Sequence, residues 1–293
     1  MIQNGPLVSV IIPVYNHPEW LEKSIKSVLE QTYKNIEIIV INDGSTDDID
    51  SMEILKDKRI KYCKNRNFGV AYSRNYGVKL AKGKYVAFLD SDDIWMNDKL
   101  SLQIAKMEED NTVWSQHDYY YFDDKTGQNT KYISTYCYRK DTIWYYFTSF
   151  KVQTSCFVIR RDVLVKNDIC FDENKEYGEE GRIYLELAMK YKLICLKKPL
   201  SRFRIRGANS GLDCKKQLYS RANCYIENKD KDIFWRYTTK TTRLAYKYCY
   251  KIAGRFQYNN LSLKYAKVLY MAPWILFKIN SKIIPHPLLR KLL

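Results

Sequence analysis

Three carboxylates, Asp90, Asp92 and Asp93, follow directly on the apolar run at residues 85–89 (YVAFL), which reads as a buried strand. In an extended segment, residues two apart point the same way, so Asp90 and Asp92 share a face across Ser91 while Asp93 turns to the other. Two carboxylates so placed suit a hard divalent cation, Mn2+ or Mg2+, which fills its remaining positions with phosphate oxygens and water. The same spacing suits a helix N-cap, with Asp92 or Asp93 accepting from exposed amides ahead of Ile94-Trp95. Asp43-Gly44-Ser45 poses a similar choice: Asp43 can bond a base or ribose, or close an Asx turn. Glu179-Glu180 stands where a helical pattern begins, and on spacing alone the pair complements a helix N-terminus. The chain has no GxxxxGK[ST] loop and no GxGxxG, so phosphate charge would be met by a metal and by scattered basic side chains.

These clusters need elements to hold them. Residues 7–15 (LVSVIIPVY) form a near-continuous β-branched run, as in a strand covered on both faces. Trp20, Leu21, Ile25, Val28 and Leu29 then recur at helical spacing over 19–31, and 36–41 (IEIIVI) reads as a second buried strand ending at Asn42-Asp43-Gly44. Residues 47–57 read as helical, 59–64 as a short strand and 70–81 as a helix ended at Gly83. Such alternation implies a parallel sheet with crossover helices, whose ligands bind at the carboxyl ends of the strands. That rule gathers Asn16, Asp43 and the aspartates at 90, 92 and 93 around one cleft. Further on, the pattern predicts a helix over 97–109, tyrosine-rich strands at 114–122 and 132–138 joined by a polar turn, and a strand at 153–159. It continues with helices at 161–166 and 181–192, short strands at 193–196 and 201–205, and basic helical sequence from about 215.

VSVIIPVYN, VINDGSTDD and NFGVAYSRNYGVKLAKGKYVAFLDSDD occur in that order, followed by FDENKEYGEEGRIYLELAMKYKLICLKKPLSRFRIRGANS. The chain thereby resembles glycosyltransferase family 2, inverting enzymes that use nucleotide sugars, over most of residues 7–210. The resemblance implies an α/β GT-A fold over 1–212, a mostly parallel central sheet flanked by helices. Its nucleotide-sugar half would span about 1–100 and its acceptor half about 101–212, with a basic helical extension at 213–293. It further implies that Pro13, Val14, Tyr15 and Asn16 line the nucleotide pocket and that Asp43 bonds the base. Asn67, Arg74 and Asn75 would lie near the nucleotide, with Ser73 where the family usually has Ala. Asp90, Ser91 and Asp92 match the DxD signature, Asp92 being the more direct metal ligand, and Asp93 and Trp95 would sit near the donor sugar. Glu180, after Glu179, stands where the family has an Asp base. Arg204 and Arg206 would contact the diphosphate, Arg206 replacing a frequent His. A UDP-sugar donor, a polyprenyl-diphosphate-linked glycan acceptor and bacterial surface-polysaccharide assembly (O-antigen or capsule) are what the resemblance implies for substrates and setting.

Composition excludes disordered, collagen-like and low-complexity classes: 46% of residues are hydrophobic, and there are only 11 Gly and 7 Pro among 293. The net charge of +16 is uneven, since residues 1–198 carry 29 basic and 29 acidic side chains and 199–293 carry 20 and 4. In the last third Tyr246, Tyr250, Leu261, Tyr265, Val268 and Leu269 recur at three- and four-residue steps among Lys and Arg, and Trp274–Phe277 and Ile283–Leu289 add apolar bulk. That pattern predicts amphipathic basic helices lying on an anionic membrane surface, with the first packing on the catalytic domain. No run reaches the about 18 apolar residues of a spanning helix, and the first residues lack a signal-peptide pattern. The expected location is therefore the cytoplasm, peripheral to the inner face of the plasma membrane. The eight cysteines include no CxxC pair and read as reduced, mostly buried thiols. A nucleic-acid-binding protein built on the basic tail, a metal-dependent nucleotidyltransferase and a transferase that binds donor without turnover are the competing readings. The first is disfavoured by a strand-end aspartate cluster that would repel phosphate, so no nucleic acid is expected as partner.

Overall fold

In a computed structural model, residues 5–135, 153–175, 178–206 and 214–238 are described, together with a few positions at 143–147 and 242–250. The tail beyond 250, including the proposed interfacial segment, lies outside the described residues. The chain divides into two compact units, residues 1–140 with 151–206, and residues 141–150 with 207–293.

The first unit is built on β1 (Val8–Val14), buried along its whole length and flanked in parallel by β2 (Ile36–Asn42) and β4 (Tyr85–Phe88). β3 (Ile60–Lys64) adds to β2, also in parallel. Valine and isoleucine fill β1 and β2 because helices cover this part of the sheet, leaving no solvent face on which polar residues would alternate, whereas β3 at the edge carries exposed Lys61 and Lys64. Helix α1 (Pro18–Leu29) joins β1 to β2, and α2 (Val70–Leu80) precedes β4. At Gly77 a Cβ would collide with the Ile11 side chain, so the glycine lets α2 lie close on β1. The order of these four strands is β3-β2-β1-β4.

Beyond β4 the sheet changes character. β5 (Ile94–Trp95) and helix α3 (Lys99–Glu109) lead to β6 (Trp114–Asp123), which takes β7 (Asn129–Ile133) and β8 (Val158–Arg160) antiparallel and β9 (Leu193–Ile205) parallel. α4 (Arg161–Lys166) and α5 (Glu180–Lys190) complete this unit. The α/β sheet flanked by helices agrees with the expected fold class, but it is mixed rather than mostly parallel, since β8 on β4, β5 on β9, and β7 and β8 on β6 all pair antiparallel.

Several details depart from the sequence pattern. Residues 47–57 form only a 3-10 turn at Glu53–Lys56, because Asp47 and Asp48 bond backbone N–H groups of His17 and Ser51 and so favour turns over helix. The stretch expected as a strand from 153 begins as a 3-10 turn, Thr154–Cys156, before β8. The two short strands expected at 193–196 and 201–205 are one, β9, whose pairing with β6 shifts register around Asp118, where Pro199 supplies no N–H. Of the described cysteines only Cys156 is buried; Cys63, Cys170, Cys195 and Cys224 are half-buried thiols. In the second unit, α6 (Cys214–Asn228) and α7 (Asp232–Tyr237) are helical as expected, and Phe147, Phe234 and Tyr246 pack edge to face.

Candidate active site

The ends of β1 and β2 are knotted together by short polar side chains. Asn16, at φ 63°, accepts through Oδ1 from the N–H groups of Thr46 at 2.8 Å and Asp47 at 3.2 Å. Asn is among the residues that tolerate this left-handed backbone, which turns the chain out of β1. Asn42 accepts from Ser45 N–H at 2.8 Å, and Asp43 takes the N–H groups of Phe68 at 2.9 Å and Gly69 at 2.8 Å, one on each carboxylate oxygen. Asp43 therefore holds the loop that starts α2. Asn67, itself at φ 58°, stands at the bend of that loop. Pro13 and Val14 are buried within β1, whereas Tyr15 is 49% exposed and Phe68 57%, leaving two aromatic faces open at the strand ends.

Arg74 is the centre of the second group. Its side chain is 4% exposed, and its guanidinium donates to Asp90 Oδ1 at 2.6 Å and to Glu179 Oε1 at 2.7 Å, with the Phe171 ring 5.2 Å from its Cζ. One buried cation thus joins the end of β4 to the start of α5. Its neighbour Asn75 donates to Phe171 O at 2.9 Å and Glu173 Oε1 at 2.8 Å, and accepts from Phe171 N–H at 2.9 Å, tying α2 to the segment that leads into α5. With Glu179 committed to Arg74, Glu180 is the carboxylate of the pair left over. It is half-buried, and burial together with the negative charge of Glu179 pushes its carboxyl up to about 8.

The three aspartates are held in three ways. Asp90 receives Arg74 and, through its backbone N–H, bonds Ser155 Oγ at 3.1 Å. Asp92 pairs with Arg206 at 3.1 Å, and burial raises its carboxyl above the usual range while Arg206 pulls the other way. Asp93 is 1% exposed; it accepts from Ser155 Oγ at 2.6 Å and from the Arg204 backbone N–H at 3.2 Å, and burial with its acidic neighbours holds its carboxyl well above normal. Trp95 is likewise buried and donates to Ser155 O at 2.9 Å. Asp93 and Trp95 therefore lie under the cluster in this structure. Ser91 contributes its carbonyl, which accepts from Ser24 Oγ at 2.8 Å. Arg204 donates to Asp92 O at 2.8 Å and pairs with Asp124, also a scaffolding role.

Several residues of this framework, among them Ser24, Phe68, Asp124 and Ser155, were not singled out from the sequence. Ser24 left a signal, since with Ser27 it puts hydroxyls on the buried stripe of α1 otherwise made of Leu21, Ile25 and Val28. Ser155 left none, being one serine in an unremarkable polar turn.

Asp90 and Asp92 fit a divalent cation. Arg74 bonds one oxygen of Asp90 and Arg206 one of Asp92, so each carboxylate keeps a second oxygen for a metal whose other positions phosphate can fill. Among the described residues, no three His, Cys, Asp or Glu side chains gather into a protein-only metal cage.

The profile of glycosyl transferase family 2 matches residues 9–167, more than half of the chain. An uncharacterised glycosyltransferase of Rickettsia conorii is 39% identical over 215 residues, covering 71% of this chain and 34% of that protein. The chain spans about a third of the length of the Rickettsia relatives it matches. The UDP-Glc:alpha-D-GlcNAc-diphosphoundecaprenol beta-1,3-glucosyltransferase WfaP of Escherichia coli is 48% identical over 120 residues, 39% of this chain and 46% of that one. Among solved structures, residues 1–349 of S. aureus TarS in complex with UDP-GlcNAc superpose with a TM-score of 0.65 at 17% identity, covering 94% of this chain and 91% of that one, a likeness of fold. The chain belongs to glycosyltransferase family 2.

Proposed function

We propose that the protein moves a sugar from a nucleoside diphosphate, UDP being favoured, to a hydroxyl of a glycan carried on polyprenyl diphosphate, inverting the anomeric centre. The observation that carries this reading is the Arg74 fork. It ties a strand-end aspartate suited to the donor's metal and diphosphate to the helix start that presents Glu180, so leaving group and base are set by one buried side chain. The lipid-linked acceptor and the UDP donor are supported by the activity of the relative WfaP.

The residues divide the work. The open faces of Tyr15 and Phe68 offer stacking surface to a base, on a loop that Asp43 keeps rigid. Asp90 and Asp92 would hold Mn2+ or Mg2+, which supplies Lewis-acid neutralisation of the charge growing on the leaving diphosphate. Glu180 takes the proton of the acceptor hydroxyl as that oxygen attacks, and a carboxyl raised by burial is well matched to the task near neutral pH. Arg206 adds positive charge where the diphosphate departs.

Assembly of a bacterial surface polysaccharide such as O-antigen or capsule at the inner face of the plasma membrane is the setting we favour. Support comes from the +16 charge and from its concentration in the last third. No helix among the described residues is long and apolar enough to cross a membrane. The test is thermal stability with UDP, GDP, dTDP and CDP, with and without Mn2+, for the full chain and its Asp92→Ala variant. It is paired with transfer from UDP-glucose to a polyprenyl-diphosphate-linked GlcNAc. A metal-dependent rise with UDP that Asp92→Ala removes is expected; a rise with no diphosphate would overturn the reading.

A further inference from the structure

The turn from β1 into α1 is strained at two successive residues. Asn16 and His17 both take left-handed backbone, at φ 63° and 60°. Non-glycine residues in this conformation cost free energy that surrounding bonds must offset, and such strain gathers where it serves a site. Here the bonds come from the end of β2: Asn16 Oδ1 accepts from the N–H groups of Thr46 and Asp47, and His17 donates its own N–H to Asp47 Oδ2 at 2.9 Å. The turn lays the His17 imidazole on the Trp20 indole, with ring centres 3.9 Å apart and planes within 20°. The same indole lies 5.1 Å from Arg206 Cζ and 5.4 Å from Arg204 Cζ. We propose that Trp20, backed by His17, is a positioning residue that aims the Arg206 guanidinium at the donor diphosphate; this rests on the donor-site reading above, which gives Arg206 that role.

Packing does not require the ring. The buried stripe of α1 is Leu21, Ser24, Ile25, Ser27 and Val28, and half-buried Trp20 lies off it. The two arginines beside the ring stand in different company. Arg204 also faces Phe122, 4.7 Å from its Cζ, and its bonds to the Asp92 carbonyl, Asp93 and Asp124 fix it below the aspartate motif. Arg206 follows the end of β9, keeps a partly exposed side chain and meets the Asp92 carboxylate at 3.1 Å, so it is the arginine placed to reach a ligand.

An ion pair fixes where a guanidinium sits but lets its plane turn. A flat ring beside it sets the plane as well, because guanidinium stacks on aromatic faces. The plane matters, since the fork of parallel N–H groups bonds phosphate oxygens only when it faces them. With five N–H donors the group serves Asp92 and a phosphate together, and neither partner has to leave. A side chain already held in place also has less rotamer freedom to lose when the ligand arrives.

Calorimetric titration of UDP in the presence of Mn2+ tests this on the full chain, through a double-mutant cycle of Trp20→Leu and Arg206→Gln with circular dichroism to confirm folding. Trp20→Leu should weaken UDP binding about fivefold and Arg206→Gln about tenfold. The double variant should stay at about tenfold, because a ring that acts through Arg206 has nothing to position once the guanidinium is gone. Trp20→Phe keeps an aromatic face and should bind within about twofold of wild type. Trp20→Met, which keeps bulk without a ring, replaces Trp20→Leu in the cycle if that variant does not fold. Losses that add to about fiftyfold, wild-type affinity without the ring or without Arg206, or a Trp20→Phe variant as weak as Trp20→Leu overturn the positioning role and leave the donor site standing. Wild-type protein that binds no UDP with Mn2+ overturns the donor-site reading and this inference with it.

Discussion

The two halves of the first unit spend their polar side chains in opposite ways. Around β1 and β2, Asn16, Asn42 and Asp43 are consumed by backbone N–H groups of neighbouring loops, so these strand ends are a satisfied frame, the orphaned buried atoms of the first half lying instead at Asn65 Nδ2, Ser73 Oγ and Arg74 Nε. Around β6 and β9, buried polar atoms are left over: Lys99 Nζ, Gln103 Oε1, Gln116 Oε1 and His117 Nε2 have no hydrogen-bond partner. A satisfied frame is rigid and tolerant of nothing, whereas an unsatisfied one stores instability that substitution can release. Glu180 and the Arg74 fork lie where the halves meet, and they carry the largest expected effects.

Glu180→Gln keeps size and removes the carboxylate proposed as base, so kcat should fall by roughly 10^3-fold with little change in melting temperature. Wild-type kcat/KM should rise with pH toward about 8 and level off above it, because the proposed base would work deprotonated and burial holds its carboxyl at about 8. A pH profile flat between 6 and 9, or a variant with near-normal turnover, would move the base elsewhere.

Arg74→Met leaves Asp90 and Glu179 without their shared cation in a buried setting. Removing one partner of a buried ion pair costs about 3–5 kcal/mol, and denaturant unfolding should show a loss of that order together with lost transfer. Adding Asp90→Asn and Glu179→Gln should recover much of the stability and none of the activity. If the triple variant is no more stable than Arg74→Met, charge is not what Arg74 contributes.

On the frame side, Asp43→Ala orphans the N–H groups of Phe68 and Gly69, and the expected loss is about 2 kcal/mol. Hydrogen exchange should speed up at those two amides and at the start of α2 before it does anywhere in β1. Asp43→Asn, which can accept one of the two bonds, should lie between.

How far the molecule could be read from its sequence follows the same division. β1, β2 and β4 announce themselves because a buried parallel strand must be apolar throughout, and the strand-end rule then gathers Asn16, Asp43 and Asp90. The roles of those side chains were less legible, since an aspartate that clamps two amides and one that meets a ligand look alike in a row of letters. In the second half the pattern weakens for a physical reason. β6 pairs with three strands over changing faces, so Gln116, His117 and Asp118 are buried in the middle of a strand that alternation alone would not bury. Ser155 and Arg74 matter through partners far away in sequence, and no local spacing encodes that.

The smallest effect is the sharpest probe of the comparison. Lys99 is fully buried one turn before Gln103 on α3, its ammonium 3.6 Å from the centre of the Trp95 ring, and burial pushes it down to about 7. The ring face offsets part of the lost hydration, but no carboxylate or carbonyl bonds the ammonium. Methionine has a similar reach and no charge, so Lys99→Met should raise stability by about 1–3 kcal/mol at pH 7. The sign of the pH dependence follows from the depressed value: the folded state prefers the neutral amine, so the penalty in wild type grows as pH falls from the ordinary lysine range toward about 7 and is constant below. The gain from methionine must therefore be larger at pH 6 than at pH 9. A gain independent of pH would mean that packing, not charge, is relieved. A loss at every pH would mean that the second half is as fully satisfied as the strand ends of β1 and β2, through a partner of Lys99 such as a buried water.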